Sequence, residues 1–305
     1  MPSTRAQTRA QSRQAKSDYL LKAVETDENE RLNIQHRMIQ HMMNQKMLHP
    51  DIPTNFERVA DVATGNGTWL YDLKKALRKE PKSNPDSSSD PTISTPHPKY
   101  HGFDISPSLF PKQDSPQKSI ADIDFTIHDF YKPFPDEHIG KYDLVHARLL
   151  VLAVQQGTDL KLAIENILTL LKPGGYIQWE EYDFADQLAA SPPCTIASTW
   201  DTILHWVEER GYSLTFSEQL VDTLRECGLE IVEKKQFTTR GLPFNEDHKL
   251  TLLYAFYTGI PKHCLKIKGK SEEEIEEVVR RCLEEWEGGL LLDYYLSRVT
   301  ARKPL

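Results

Sequence analysis

The chain is poor in cysteine and has no long apolar run. Four cysteines, Cys194, Cys227, Cys264 and Cys282, are scattered without Cys-x-x-Cys spacing. That excludes a disulfide framework or a thiolate zinc site as the organising device and fits a reduced thiol set. No apolar stretch approaches the ~18 residues of a membrane span, and no apolar signal-peptide core follows the start. The chain is therefore expected to be soluble and cytoplasmic, without a membrane partner. Excess positive charge is also missing. With 37 Lys and Arg against 45 Asp and Glu, the formal net charge is -8, which argues against a general affinity for nucleic acid phosphates. No His-x-x-x-His spacing appears, so no metal site is expected. At 305 residues the length suits one large α/β domain with a cap.

What is present centres on Arg58-Val59-Ala60-Asp61-Val62-Ala63-Thr64-Gly65-Asn66-Gly67-Thr68-Trp69-Leu70. Val59, Ala60 and Val62 suit a buried parallel strand. Gly65 and Gly67 permit a tight turn and the close backbone approach that a ligand at a strand's carboxyl end requires. An isolated Gly-x-Gly can also merely turn the chain. A second acidic landmark, Tyr100-His101-Gly102-Phe103-Asp104-Ile105-Ser106, reads as a short strand ending in a carboxylate, the position at which nucleoside-binding α/β folds hold a ribose. Asp104 lies about forty positions after Asp61, against the ~20 expected. The intervening Pro-, Ser- and Asp-rich residues 80–99 read as a flexible insertion whose excision restores the spacing. The third small position of a dinucleotide fingerprint is Leu70, which opposes close helix–strand packing and disfavours a nicotinamide cofactor.

The order Asp61-x-Ala63-x-Gly65-x-Gly67 followed by Gly102-Phe103-Asp104-Ile105-Ser106 resembles the class I S-adenosylmethionine-dependent methyltransferases. Phe125-Thr126-Ile127-His128-Asp129-Phe130, Tyr142-Asp143-Leu144-Val145-His146-Ala147-Arg148 and Leu171-Lys172-Pro173-Gly174-Gly175-Tyr176-Ile177-Gln178-Trp179-Glu180-Glu181 extend the likeness. The chain departs from the commonest pattern at Ala63, where glycine is more usual. Tyr19, Glu30-Arg31-Leu32 and Gln35-His36 resemble fungal secondary-metabolite methyltransferases.

The resemblance implies a Rossmann-like three-layer α/β sandwich with a mostly parallel seven-stranded sheet, its last strand antiparallel, and a helical cap. Residues 1–17 carry Arg5, Arg9, Arg13 and Lys16 without an acidic residue and read as a disordered basic tail. Residues 18–305 would form the methyltransferase domain, with 18–55 as the cap and 184–228 and 242–290 as helical substrate-side additions. Helices are expected over 160–171, closed by Lys172-Pro173-Gly174-Gly175, and over 200–210 and 216–227. Ser271 with Glu274 reads as a capping box, and the methionines Met38, Met42 and Met43 read as core.

The resemblance also implies site roles. Asp61 would face the methionine ammonium of S-adenosylmethionine, backbone at Ala63, Gly65 and Gly67 would line the cofactor, Asp104 would take the ribose hydroxyls, and Ile105 would lie beside them. Asp129 would accept from the adenine amino group, and Phe130 would offer backbone and an apolar surface; a turn cap is the other role open to Asp129. Tyr19 and His36 would come over the cofactor from the cap. His146 is a candidate for cofactor contact first and general base second, with Arg148 anchoring the cofactor carboxylate or the loop. Glu180 and Glu181 point to opposite faces of the fifth strand, so one of them can reach the pocket, with Glu180 the catalytic candidate. The expected reaction is methyl transfer to an O, N or S atom of a small secondary metabolite. A methyltransferase-like regulator, or a protein methyltransferase controlling gene expression, is the alternative.

Overall fold

A computed structural model describes residues 28–79, 98–111, 123–154, 157–186, 193–243, 245–257, 259–290 and 292–305. The basic tail, Tyr19 and most of the expected 80–99 insertion lie outside the described residues. The chain builds α1 (Glu28–Met42), β1 (Arg58–Val62), α2 (Thr68–Lys79), β2 (Lys99–Asp104), β3 (Ile123–Ile127), β4 (Tyr142–Arg148), α3 (Thr158–Leu168), β5 (Leu171–Tyr182), α4 (Thr195–Glu208), α5 (Phe216–Glu226), β6 (Glu230–Thr238), α6 (Glu246–Leu252), a π turn (Leu253–Tyr257), α7 (Gly259–Ile267), α8 (Glu272–Glu287) and β7 (Tyr295–Arg302).

These strands form one seven-stranded sheet in the order β3-β2-β1-β4-β5-β7-β6. All neighbours are parallel except β7, which runs antiparallel to both β5 and β6. Apolar residues cover both faces of the central strands, as a parallel sheet between helical layers requires. Side chains alternate across each strand. Val59 and Leu144 pack with Trp69, Leu70 and Leu73 of α2 on one face. Ala60, Val62, Val145 and Ala147 pack with Ile164 and Ile167 of α3 and Leu220 and Leu224 of α5 on the other. This is the expected three-layer sandwich with its last strand antiparallel.

Three local expectations shift. The helix before the fifth strand ends at Leu168, not Leu171, because Leu171 already pairs with Tyr142 across β4; a register irregularity between Tyr142 and Leu144 then absorbs Pro173, Gly174 and Gly175. Helix α5 lies in the 184–228 segment assigned to the substrate side, yet it packs on β5, β6 and β7 as a sheet layer. Helix α4 begins earlier than expected, at Thr195, and it buries Val207 while Trp206 stays half-buried under the Arg210 guanidinium, 3.9 Å away. The capping box is present on α8, with the Ser271 hydroxyl accepting from the Glu274 amide and Glu274 reaching back to the Ser271 amide. Among the described residues, no helix is long and apolar enough to cross a membrane. All four cysteines are free thiols.

Candidate active site

Strand order reverses between β1 and β4, and α/β sheets open a crevice at such a point. Into it runs the turn after β1. Ala63, Gly65 and Gly67 all take positive φ, at 55°, 58° and 75°. A Cβ on Gly67 would lie 2.6 Å from the Phe125 ring, and one on Gly102 would lie 2.7 Å from the Thr64 methyl and 2.9 Å from that ring. These glycines therefore let the turn lie directly on β2 and β3. Asp104, at the end of β2, ties the layers together, for Oδ2 accepts from the Gly65 amide at 2.8 Å and Oδ1 from the Ser106 amide at 2.9 Å. The cap is tied to the same turn: the Asn66 side-chain amide donates to the Asn29 carbonyl at 3.2 Å and to Asn33 Oδ1 at 3.0 Å.

Ala63 carries a Cβ in the left-handed region, which costs roughly 1–2 kcal/mol. Glycine would remove that cost while adding about 0.4–1 kcal/mol of unfolded-state entropy. Ala63→Gly is accordingly expected to stabilise the fold by about 0.5 kcal/mol. A lower calorimetric melting temperature for this variant would contradict the assignment of strain.

Beneath the turn lies a buried charge cluster. Asp61 Oδ1 faces His146 Nδ1 at 2.7 Å, and Oδ2 accepts from the Thr64 hydroxyl at 2.6 Å. The His146 ring, 1% exposed, stacks on Trp69 with centroids 3.7 Å apart and planes 3° off parallel. Its Nε2 faces Glu180 Oε2 at 3.5 Å, an ion-pair separation longer than a direct hydrogen bond. Glu180 Oε1 accepts from Gln178 at 3.0 Å and pairs with Arg298 Nε at 3.3 Å. Burial pulls the His146 imidazole down, but the adjacent Asp61 charge and hydrogen bond, then Glu180, outweigh it and raise its pKa. Burial pushes Glu180 up, and His146, Arg298 and Arg148 override it to hold the carboxyl at about 2. His146 thus lies between two carboxylates that favour its protonated form. Behind it, Arg148 Nη1 donates to His36 Nδ1 at 3.0 Å, and His36 Nε2 lies 2.8 Å from the Gln40 side-chain nitrogen and 3.1 Å from Asp72 Oδ2. Burial, against the pull of Asp72 and with the help of the Arg148 charge, keeps His36 below its ordinary pKa.

A cavity of about 410 Å³ opens above the cluster, within the ~300–1,000 Å³ of small-molecule sites. One end is lined by Asp61, Ala63, Gly65, Asp104, His146 and Arg148. The other is an aromatic wall of Tyr182, Phe184, Trp200, Tyr254 and Tyr294. Tyr182 packs at 4.6 Å on Phe184 and at 4.5 Å on Tyr294, and Phe184 stacks on Trp200 at 5.9 Å. At the mouth Arg31 pairs with both oxygens of Glu28 at 2.7 Å and lies 5.1 Å over the Tyr254 ring. Arg37 on α1 holds Asp247 on α6 through two contacts of 2.9 and 2.8 Å.

A family model described as a methyltransferase domain matches residues 11–234. The methyltransferase grgD of a Penicillium species is 34% identical over 275 residues, which cover 88% of this chain and 90% of that relative. The chain belongs to the methyltransferase domain family. Its methyl donor is S-adenosylmethionine. The N-methyltransferase tcpN of Claviceps purpurea is 30% identical over 158 residues, 50% of this chain and 48% of that relative, so this match spans about half of tcpN. Among solved structures, the complex of the Haloferax volcanii Trm112 methyltransferase activator with a methyltransferase aligns at a TM-score of 0.50 and 14% identity, over 91% of this chain and 95% of that one. At that identity the likeness is one of fold.

The residues nominated from sequence for this methyltransferase divide into two groups. Asp61, Ala63, Gly65, Asp104, His146 and Arg148 meet at one cavity. Gly67 stands one step back, set by its contact with Phe125. Ile105, Asp129 and Phe130 do not line it. Ile105 is 67% exposed. Asp129 Oδ1 accepts from the Tyr131 amide at 3.1 Å, the turn-capping role, while Phe130 packs on Tyr131 with its carbonyl held by Asn166. His36 lies behind the cavity, bound to Arg148, and Glu180 lies under it, locked by His146 and Arg298. Sequence reasoning passed over Trp69, Arg298 and the aromatic wall. For Arg298 a signal existed, because an arginine amid the apolar residues of a terminal strand needs a buried partner.

Proposed function

We propose that this methyltransferase transfers a methyl group to a nitrogen atom of a small, ring-bearing secondary metabolite. The observation that carries the reading is the cavity itself, which brings the acidic and glycine-turn residues at the sheet's crevice together with a wall of five aromatic side chains. Bound S-adenosylmethionine supplies a sulfonium methyl that a lone pair can take while the carbon–sulfur electrons return to a neutral thioether.

The residues fit that donor. Each Asp104 oxygen, already holding one amide, retains lone-pair capacity for a ribose hydroxyl. Asp61 places negative charge where an ammonium would sit. Arg148, steadied by His36, offers its remaining guanidinium donors to a carboxylate. The aromatic wall orients the acceptor and excludes water, and alignment of that kind can supply ~7–11 kcal/mol. Nitrogen is favoured over oxygen or sulfur on two grounds. Methylating a neutral amine moves the positive charge from sulfur to nitrogen, and aromatic faces stabilise a cation by roughly 0.5–2 kcal/mol. The relative tcpN is named an N-methyltransferase.

Incubation with methyl-labelled S-adenosylmethionine and a panel of aromatic amines, phenols and thiols should place label on the amines. Label confined to phenols or thiols would move the acceptor atom, and failure to bind the donor would overturn the whole reading.

A further inference from the structure

The turn after β4 is anchored on a carboxylate from another strand. Leu149 takes a left-handed φ of 57°, and its amide donates to the Glu180 carbonyl at 2.9 Å. The next two amides, of Leu150 and Val151, both donate to Glu181 Oε2, at 2.7 and 3.1 Å. The Trp179 indole N–H reaches the same oxygen at 3.3 Å, and the Tyr182 amide donates to Oε1 at 2.9 Å. The Leu150 carbonyl then accepts from Ala153 and Val154, closing a single helical turn. Leu149, Leu150 and Leu152 of this turn line the cavity between His146 and the aromatic wall.

Glu180 and Glu181 leave opposite faces of β5, and both meet the carboxyl end of β4, Glu180 at His146 and Glu181 at the turn beyond Arg148. Glu180 joins the charge cluster below the donor end. Glu181, fully buried, meets only N–H donors among the bonds described. A buried carboxylate without a cation is costly, and four N–H donors offset part of that cost.

We infer that Glu181 is a positioning residue, which fixes the wall against which the acceptor is placed by holding the Leu150 and Val151 amides. The inference rests on the reading that the aromatic end takes the acceptor. The clamp works through oxygens that only accept. Protonation turns one of them into a donor facing an amide, so the wall loosens when the carboxyl takes a proton. Burial, opposed by the four donors, pushes that carboxyl up to about 7, where ordinary pH changes would operate the clamp. The groups facing it are otherwise fixed. Tyr182 and Tyr294 are pushed up by burial and stay neutral, and Asp183 is held by Ser217, Ser297 and Gln236. Arg148 from β4 and Arg31 from α1 stand near Tyr294 as constant positive charges that oppose its rise. His146 on β4, its pKa raised by Asp61 and Glu180, stays in place in the Glu181 variant.

The test uses the full chain saturated with S-adenosylhomocysteine and the neutral fluorescent probe N-phenyl-1-naphthylamine. Wild type should bind the probe roughly tenfold more tightly well above pH 7 than well below it. Glu181→Gln, an uncharged mimic of the protonated acid, should bind weakly at both. S-adenosylhomocysteine affinity should differ by less than about twofold throughout, since the donor end does not depend on this clamp. A Glu181→Gln curve that follows the wild-type pH dependence, or a loss of S-adenosylhomocysteine affinity equal to the loss of probe affinity, would overturn the inference. Hydrogen exchange needs neither variant nor probe. Protection of the Leu150 and Val151 amides, corrected for intrinsic rate, should fall below about pH 7 while that of Val145 holds, and parallel behaviour of all three would equally refute the clamp. Failure of wild type to bind S-adenosylhomocysteine at all would count against the donor site instead, and failure to bind only the probe against the acceptor reading.

Discussion

Replacing His146 with alanine is expected to cost the fold about 3–5 kcal/mol, the loss seen when one partner of a buried ion pair is removed. The His146 ring sits between Asp61 and Glu180, whose charges favour its protonated form, with both carboxylates and the ring itself excluded from water. Its removal leaves two buried like charges, compensated by Thr64, Gln178, Arg298 and the more distant Arg148, and takes away the ring that Trp69 stacks on. Denaturant titration should show the midpoint falling with little change in slope. Coupling supplies a second signature. Glu180→Gln in the His146→Ala background should recover part of the loss, because the residues share one network.

The pH dependence has a defined sign. The His146 pKa is raised in the folded state, so its contribution is fully present below the unfolded value near 6.5 and is lost as pH rises through the higher folded value. Wild-type stability should therefore decline as pH rises above about 6.5 more steeply than that of His146→Ala. A loss under about 1 kcal/mol, with no such difference, would mean that the ring is neutral.

The same charge state bears on chemistry, because an imidazolium already holding its proton cannot take one from an acceptor. His146→Gln, which keeps a polar side chain at the site, should weaken donor binding and leave saturated turnover near normal. A large fall in saturated turnover with donor affinity intact would restore the general-base role.

The glycine-turned end of the cavity was legible in sequence because its geometry is local. A strand, two glycines and a carboxylate after the next strand are short segments, and the turn they make is dictated by φ and by the absence of Cβ. Even the opposite facing of Glu180 and Glu181 followed from strand alternation. Which face each would meet did not. That depends on β7 lying beside β5 in the register Glu180↔Arg298, a pairing between residues far apart in the chain. The aromatic wall was hidden for the same reason. Its rings come from the end of β5, from α4, from the π turn and from the residue before β7, and no spacing in the sequence relates them. Asp129 shows the converse limit. An aspartate at a strand end suits both a ligand and a turn, and in this structure the Tyr131 amide, two residues on, holds it.

Asp104→Ala should weaken donor binding by at least tenfold. A hydrogen bond to a charged group is worth about 1.5–3 kcal/mol, and the Asp104 carboxylate does two things with its oxygens. It presents acceptors to the cavity, and it holds the Gly65 amide, so that the glycine turn keeps its distance from β2. Alanine removes both functions and frees the Ser106 amide as well. Asparagine separates them, since its one acceptor oxygen can keep the Gly65 contact while the charge is lost. The expected order of affinity for S-adenosylhomocysteine by isothermal titration is wild type, then Asp104→Asn, then Asp104→Ala. The core strands should survive in all three, because Asp104 lies at a strand end and its partners are turn amides. The readout in stability is linked to binding. Ligand at about a hundred times its Kd stabilises by roughly 2.7 kcal/mol, so the upward thermal shift given by S-adenosylhomocysteine in wild type should shrink in Asp104→Asn and nearly vanish in Asp104→Ala. Equal affinity across the three proteins would remove Asp104 from the donor site and leave it as a clip between the glycine turn and β2.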